Sequence, residues 1–169
     1  FLRQNAGAWH LAEARGVSGE DTRRMRKERD ALYLTLIGQE PTIIAGVREA
    51  LEALAGRFRM AIVTSSQPAP FARIHEATGI LHHFEFALTR VDYAESKPSP
   101  EPYLLGVSKL EIAPAKCLVI EDSERGLTAA KAAGLACWVV PSELSAGSRF
   151  DAADRVLPDL GAVVRALSA

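Results

Sequence analysis

This 169-residue chain has no long apolar run, only two cysteines and almost no net charge, and each of these features argues against a class of protein. No apolar run approaches the roughly 18 residues that a membrane-spanning helix needs, so we expect no membrane partner. The formal net charge of -1 at pH 7 provides no electrostatic basis for binding nucleic acid. The sequence leaves the oligomeric state open.

The chain has two cysteines, Cys117 and Cys137, which lie in the apolar runs KCLVIE and ACWVV. Cysteines in such strand-like runs are typical of small buried hydrophobic residues rather than of a disulfide or a metal-binding pair. Unpaired cysteines fit a reducing compartment, and we therefore expect a cytoplasmic protein.

Two regions with different patterns divide the chain. Residues 1–38 carry helical patterns only, and Ser18 is placed to cap a helix with an apolar stripe that includes Leu32 and Leu36. From Pro41 onward helix and strand patterns alternate: IIAGVREALEALAG predicts a helix, and RMAIVT, FEFAL, KCLVIE and ACWVV predict strands. Strands separated by helices indicate right-handed βαβ units, hence an α/β fold with a parallel sheet.

Polar side chains follow two of these strands at their carboxyl ends, where ligands bind in open parallel sheets. RMAIVT ends at Thr64 and Ser65, KCLVIE ends at Glu121 and Asp122, and Lys97 lies between them in SKPSPEP. Taken singly, such hydroxyls and acids are typical of helix caps, and such a lysine is typical of a surface. Taken together, hydroxyl donors suit a phosphate, a lysine offsets its charge, and paired acids suit Mg²⁺. The combination predicts a phosphoryl-transfer site.

The same segments resemble the motifs of the haloacid dehalogenase (HAD) superfamily, in its β-phosphoglucomutase and phosphoglycolate phosphatase branch. AIVTSS resembles the second motif, SKPSPEPYLLGVSKL the third, with the pattern KPxPxxY, and CLVIEDSERGLTAAKAAGL the fourth. TIIAGVREALEAL resembles the segment that re-enters the core after an inserted cap. The resemblance implies a Rossmann-like parallel sheet flanked by helices over residues 41–169 and a small, partial helical cap over residues 1–40.

The resemblance also implies roles for the matching residues. Thr64 and Ser65 would hold the phosphoryl oxygens, and Lys97 would bridge the phosphate and a nucleophilic carboxylate. Asp122 would ligate Mg²⁺, and Glu121 would help directly or through a water molecule.

The aspartate nucleophile of this family lies in a DxDGT-like first motif, and no such pattern occurs in the chain. We therefore expect the motif upstream of Phe1, the first central strand of the sheet to be missing, and the chain as given to be inactive. In the family that strand lies between the strands that here end at Thr64 and Glu121, so these two should not be hydrogen-bonded to each other. Ser123 is expected only to cap the next helix.

We therefore predict that the intact protein is a Mg²⁺-dependent phosphatase that acts on a small phosphorylated metabolite. A sugar phosphomutase is the nearest alternative, because the same motifs serve both reactions. An alternative of another class is a non-catalytic phosphate-binding or regulatory HAD-like domain. A DxD after an apolar strand upstream would favour an enzyme, and its absence would favour the binding domain.

Overall fold

The computed structural model describes residues 9–37, 43–145 and 147–169. The helices are α1 (Trp9–Ala14), α2 (Gly19–Ile37), α3 (Val47–Leu54), α4 (Pro68–Thr78), α5 (Glu101–Leu110), α6 (Glu124–Ala132) and α7 (Leu160–Ser168). The strands are β1 (Ile62–Val63), β2 (Ala87–Leu88), β3 (Leu118–Glu121), β4 (Ala136–Val139) and β5 (Arg155–Val156). None of the helices in these ranges has both the length and the apolarity to cross a bilayer.

Helices α1 and α2 occupy the region predicted to be a cap. The Ser18 hydroxyl accepts a hydrogen bond from the Asp21 amide at 3.0 Å, so the expected cap at the start of α2 is confirmed. The apolar stripe of α2 is largely uncovered, since Leu32 is 61% and Leu36 54% exposed. The rest of the predicted cap and the boundary at Pro41 lie outside the described residues, and the division into cap and core remains a prediction.

The five strands in the described residues form two parallel sheets, one with the order β1-β2 and the other with the order β3-β4-β5. Helix α4 connects β1 to β2, and α6 connects β3 to β4, as βαβ units require. These features confirm the α/β class. Strands β1 and β3 belong to different sheets and are not hydrogen-bonded to each other, as the sequence predicted. Strand β5 was not predicted, because Arg155 and Val156 are both exposed and carry no apolar pattern.

The start of α3 differs from the prediction. The pattern IIAGVREALEALAG predicts a helix from Ile43, but α3 begins at Val47. Gly46, immediately before it, has a φ of 81°, in the left-handed region that a right-handed helix cannot include. The two isoleucines therefore precede the helix, and Ile44 is 73% exposed.

The main core lies where α5 and α6 pack on the three-stranded sheet. Its buried residues are Tyr103, Val119, Leu127, Ala129, Ala130, Leu135, Cys137 and Val139. Ala129 and Ala130 of α6 are completely buried, since their small side chains allow the helix to approach the sheet closely. Both cysteines are free; Cys137 is buried as predicted, whereas Cys117, which precedes β3, is only partly buried.

Candidate active site

The two sheets meet at the side chain of Lys97. The N–H groups of Ile62 and Thr64 donate hydrogen bonds to β2, so the Val63 carbonyl projects from the opposite, unpaired edge of β1. The Lys97 ammonium donates to this carbonyl at 3.0 Å and to Glu121 Oε1, at the end of β3, at 2.6 Å. A single buried cation therefore joins two strand ends that share no backbone hydrogen bond.

A cavity of 560 Å³ opens between these strand ends. Its lining includes every residue that the sequence predicted for the site, namely Thr64, Ser65, Lys97, Glu121 and Asp122. The carboxyl ends of parallel strands point the same way, which brings Thr64 and Glu121, far apart in the sequence, to one place. Their roles in binding or catalysis remain predictions.

The hydroxyls after β1 are not helix caps. Helix α4 begins at Pro68 after Gln67, and no side chain accepts a hydrogen bond from its first turn. Thr64 Oγ1 instead accepts a hydrogen bond from the Ser66 amide at 3.1 Å, which closes a tight loop. Ser65 is exposed at the cavity. This placement leaves the loop hydroxyls facing the cavity, where they can donate to an anion.

The floor of the cavity is a buried ion pair between Lys97 and Glu121, each 9% exposed. The Tyr103 hydroxyl accepts from the Lys97 ammonium at 2.8 Å and donates to the Glu121 oxygen that the lysine also contacts. The second Glu121 oxygen accepts from the Ser123 hydroxyl at 3.0 Å.

These contacts determine the charge of Glu121. Burial by itself would raise the pKa of this carboxyl, but the Lys97 charge and the hydrogen bonds from Lys97, Tyr103 and Ser123 hold the pKa below its usual value. Glu121 is therefore an anion at neutral pH with both oxygens engaged. In this arrangement it presents no free oxygen to a metal ion, and its role as a metal ligand stays a prediction.

Asp122 is the acid that remains available at the cavity. Asp122 is exposed, and its carboxylate makes no hydrogen bond or salt bridge with another side chain within the described part of the chain. Desolvation by the surrounding protein and the negative charge of Glu121 raise the pKa of Asp122, so its anion would be stabilised by a bound cation.

No cluster of three or more potential metal ligands occurs among the described residues. Mg²⁺ nevertheless commonly takes one or two protein carboxylates and completes its shell with water and phosphate oxygens. The Asp122 carboxylate at the cavity fits that pattern. Ser123 caps α6 as predicted, because its hydroxyl accepts from the Gly126 amide at 3.0 Å. Its hydrogen bond to Glu121 was not predicted.

Three residues that the sequence analysis did not assign to the site support it. Tyr103 contacts both members of the ion pair. Arg125 donates a hydrogen bond to the Lys97 carbonyl, and Gly126 lies directly against the Glu121 carboxylate. The pattern KPxPxxY contains Tyr103, but the spacing between its lysine and tyrosine does not reveal that the two side chains are hydrogen-bonded to each other.

Comparison with known proteins gives concordant matches. Residues 3–134 match the model of the haloacid dehalogenase-like hydrolase family. The chain is 34% identical to protein CbbY of Rhodobacter capsulatus, over 96% of this chain and 76% of that protein. It is 32% identical to a phosphorylated carbohydrates phosphatase of Thermotoga maritima, over 67% of this chain and 51% of that protein.

The crystal structure of CbbY from Rhodobacter sphaeroides in complex with phosphate aligns with a TM-score of 0.70 at 29% identity. The alignment covers 83% of this chain and 64% of that protein. The chain therefore spans only part of the length of each of these relatives.

Proposed function

Because the chain belongs to the haloacid dehalogenase-like hydrolase family, we propose that it forms the phosphate- and metal-binding part of a Mg²⁺-dependent phosphatase. The observation that carries this proposal is the convergence of Thr64, Ser65, Lys97 and Asp122 on one cavity. Hydroxyl donors, a cation and an available carboxylate are the groups that bind a phosphate together with Mg²⁺.

The proposed substrate is a small phosphorylated metabolite. The Rhodobacter sphaeroides relative was crystallised with phosphate, and the Thermotoga maritima relative is a phosphatase of phosphorylated carbohydrates. Helices α1 and α2 are proposed to belong to a cap over residues 1–40. A cytoplasmic location is proposed from the two free cysteines.

Each side chain has a separate task in this proposal. The Thr64 and Ser65 hydroxyls donate hydrogen bonds to phosphoryl oxygens, and Lys97 offsets the negative charge that accumulates on them. Asp122 would hold Mg²⁺, which polarises the phosphoryl group. No DxD pattern occurs in the 169 residues, so the proposal assigns the nucleophile to an aspartate on an upstream strand that lies between β1 and β3.

Calorimetric titration tests the binding part of the proposal. Mg²⁺ is titrated in the presence of inorganic phosphate into the wild-type chain, Asp122→Ala and Asp151→Ala. Asp151 is an exposed aspartate outside the cavity lining and serves as the matched control. We expect Asp122→Ala to weaken Mg²⁺ binding at least about tenfold, because the metal loses its charged ligand, and Asp151→Ala to leave it unchanged. Equal Mg²⁺ affinity in all three proteins would contradict the assignment.

A turnover assay tests the assignment of the nucleophile to an upstream segment. With p-nitrophenyl phosphate and Mg²⁺, the chain as given should show essentially no hydrolysis, because a covalent nucleophile commonly contributes several orders of magnitude in rate. Adding the upstream segment should produce Mg²⁺-dependent hydrolysis. Rapid hydrolysis by the chain alone would contradict the assignment of the nucleophile, and phosphate binding without turnover in the extended protein would favour a binding domain.

A further inference from the structure

The Lys97 ammonium has three N–H groups, and each has a protein acceptor from a different element. Glu121 Oε1, at the end of β3, lies at 2.6 Å and the Tyr103 hydroxyl, in the first turn of α5, at 2.8 Å. The Val63 carbonyl, at the unpaired edge of β1, lies at 3.0 Å. All the donors of this cation are therefore oriented, and none rotates freely.

Tyr103 differs from the other two acceptors because it is one of the buried residues of the main hydrophobic core. Tyr103 is 6% exposed and packs in the core, with the Lys97 nitrogen also 4.5 Å from the centre of its ring. Its hydroxyl accepts from Lys97 and donates to Glu121, so the proton of the hydroxyl has a defined direction. The tyrosine is fixed by its surroundings and in turn fixes the two charged groups.

We infer that Tyr103 is a positioning residue: together with Glu121 it holds two N–H groups of Lys97 and leaves the third to exchange the Val63 carbonyl for a phosphoryl oxygen in the cavity. This inference rests on the proposed phosphate-binding role of Lys97. Val63, Lys97 and Glu121 line the cavity, whereas Tyr103 does not. Of the two acceptors that line the cavity, the neutral Val63 carbonyl at 3.0 Å is weaker than the Glu121 carboxylate at 2.6 Å, so an entering anion competes for the N–H that points to Val63.

Tyr103→Phe separates this role from simple core packing. Phenylalanine keeps the ring and its apolar contacts but removes one acceptor from Lys97 and one donor to Glu121. If Tyr103 served only to fill the core, Lys97 would be unaffected by the loss of the hydroxyl. Tyr93→Phe is the matched control, because Tyr93 is equally 6% exposed and its hydroxyl donates to the Thr64 carbonyl at 2.8 Å rather than to a charged group.

Side-chain NMR of ¹⁵N-lysine-labelled protein gives a direct measurement. The chain contains five lysines, of which Lys97 is buried, and the Lys97→Arg variant assigns its signal. In the wild type we expect a Lys97 ammonium protected from water exchange, with a cross-peak to the Tyr103 hydroxyl proton. Addition of inorganic phosphate with Mg²⁺ should shift the Lys97 signal.

In Tyr103→Phe the Lys97 protons should exchange with water at least about tenfold faster, and phosphate affinity should fall about tenfold, since charge-assisted hydrogen bonds are among the strong ones. Tyr93→Phe should leave the exchange of Lys97 at its wild-type rate. An unchanged Lys97 signal in folded Tyr103→Phe would overturn the inference. If that variant does not fold, absence of the wild-type cross-peak overturns it instead. If the Lys97 signal changes in Tyr103→Phe but does not shift on addition of phosphate with Mg²⁺, the positioning contact is supported and the proposed function is refuted.

Discussion

Gly126 lies in the first turn of α6, buried directly against the carboxylate of Glu121. A Cβ atom at this position would overlap the carboxylate carbon and both of its oxygens. The carboxylate cannot move aside without losing contacts, because Lys97, Tyr103 and Ser123 hold its two oxygens. Gly126→Ala must therefore displace Glu121 from its partners.

The expected change in the free energy of unfolding follows from the loss of the ion pair between Lys97 and Glu121. Separating a buried ion pair costs about 3–5 kcal/mol, because one or both charges remain in a poorly solvated site. Alanine regains about 1 kcal/mol over glycine in helix propensity. We therefore expect Gly126→Ala to lower the free energy of unfolding by about 2–4 kcal/mol.

Urea unfolding followed by circular dichroism measures this difference. Gly19→Ala is the control, since its Cβ would meet only the end of the Arg23 side chain at 3.6 Å; it should change stability little. A second control uses Glu121→Ala, which removes the displaced carboxylate. In that background Gly126→Ala should cost less than about 1 kcal/mol, because its steric partner is gone. Equal effects of Gly126→Ala in both backgrounds would show that the contact with Glu121 is not the cause.

Three further predictions concern protonation, capping and thiol reactivity. The pKa of Glu121 is depressed in the folded state, so its contribution to stability is present above its unfolded pKa and is lost as pH falls through the folded value. Chemical unfolding should accordingly show wild type more stable than Glu121→Gln near pH 7, with the difference shrinking as the pH falls below the unfolded pKa of about 4.3; a pH-independent difference would contradict this. Ser123→Ala should cost about 1–2 kcal/mol in the same assay but retain Mg²⁺ binding, whereas Asp122→Ala should show the opposite pattern; loss of Mg²⁺ binding by folded Ser123→Ala would contradict the division of roles. Burial and nearby Glu121 raise the pKa of Cys137 to about 12, so a thiol reagent at pH 8 should modify Cys117 first and reach Cys137 only on unfolding; rapid labelling of native Cys137, detected by peptide mass spectrometry, would refute its burial.

Features that depend on neighbours along the chain could be predicted from the amino-acid sequence. Ser18 and Ser123 are identified as caps because a hydroxyl satisfies N–H groups only two or three residues away. Short apolar runs between helix patterns identified four of the five strands that the structure describes. The residue types at two strand ends placed Thr64 and Asp122 at a common edge, because all parallel strands end on the same side.

The contacts among those groups, in contrast, depend on how distant segments pack in three dimensions. Lys97 and Glu121 were predicted for the site, but their direct pairing depends on three segments that meet across a cavity. The role of Tyr103 depends on the same meeting, and the contact of Gly126 with Glu121 depends on how α6 turns back over the end of β3. Side-chain packing of this kind is a property of distances through space, and periodicity along the chain carries information about one element at a time.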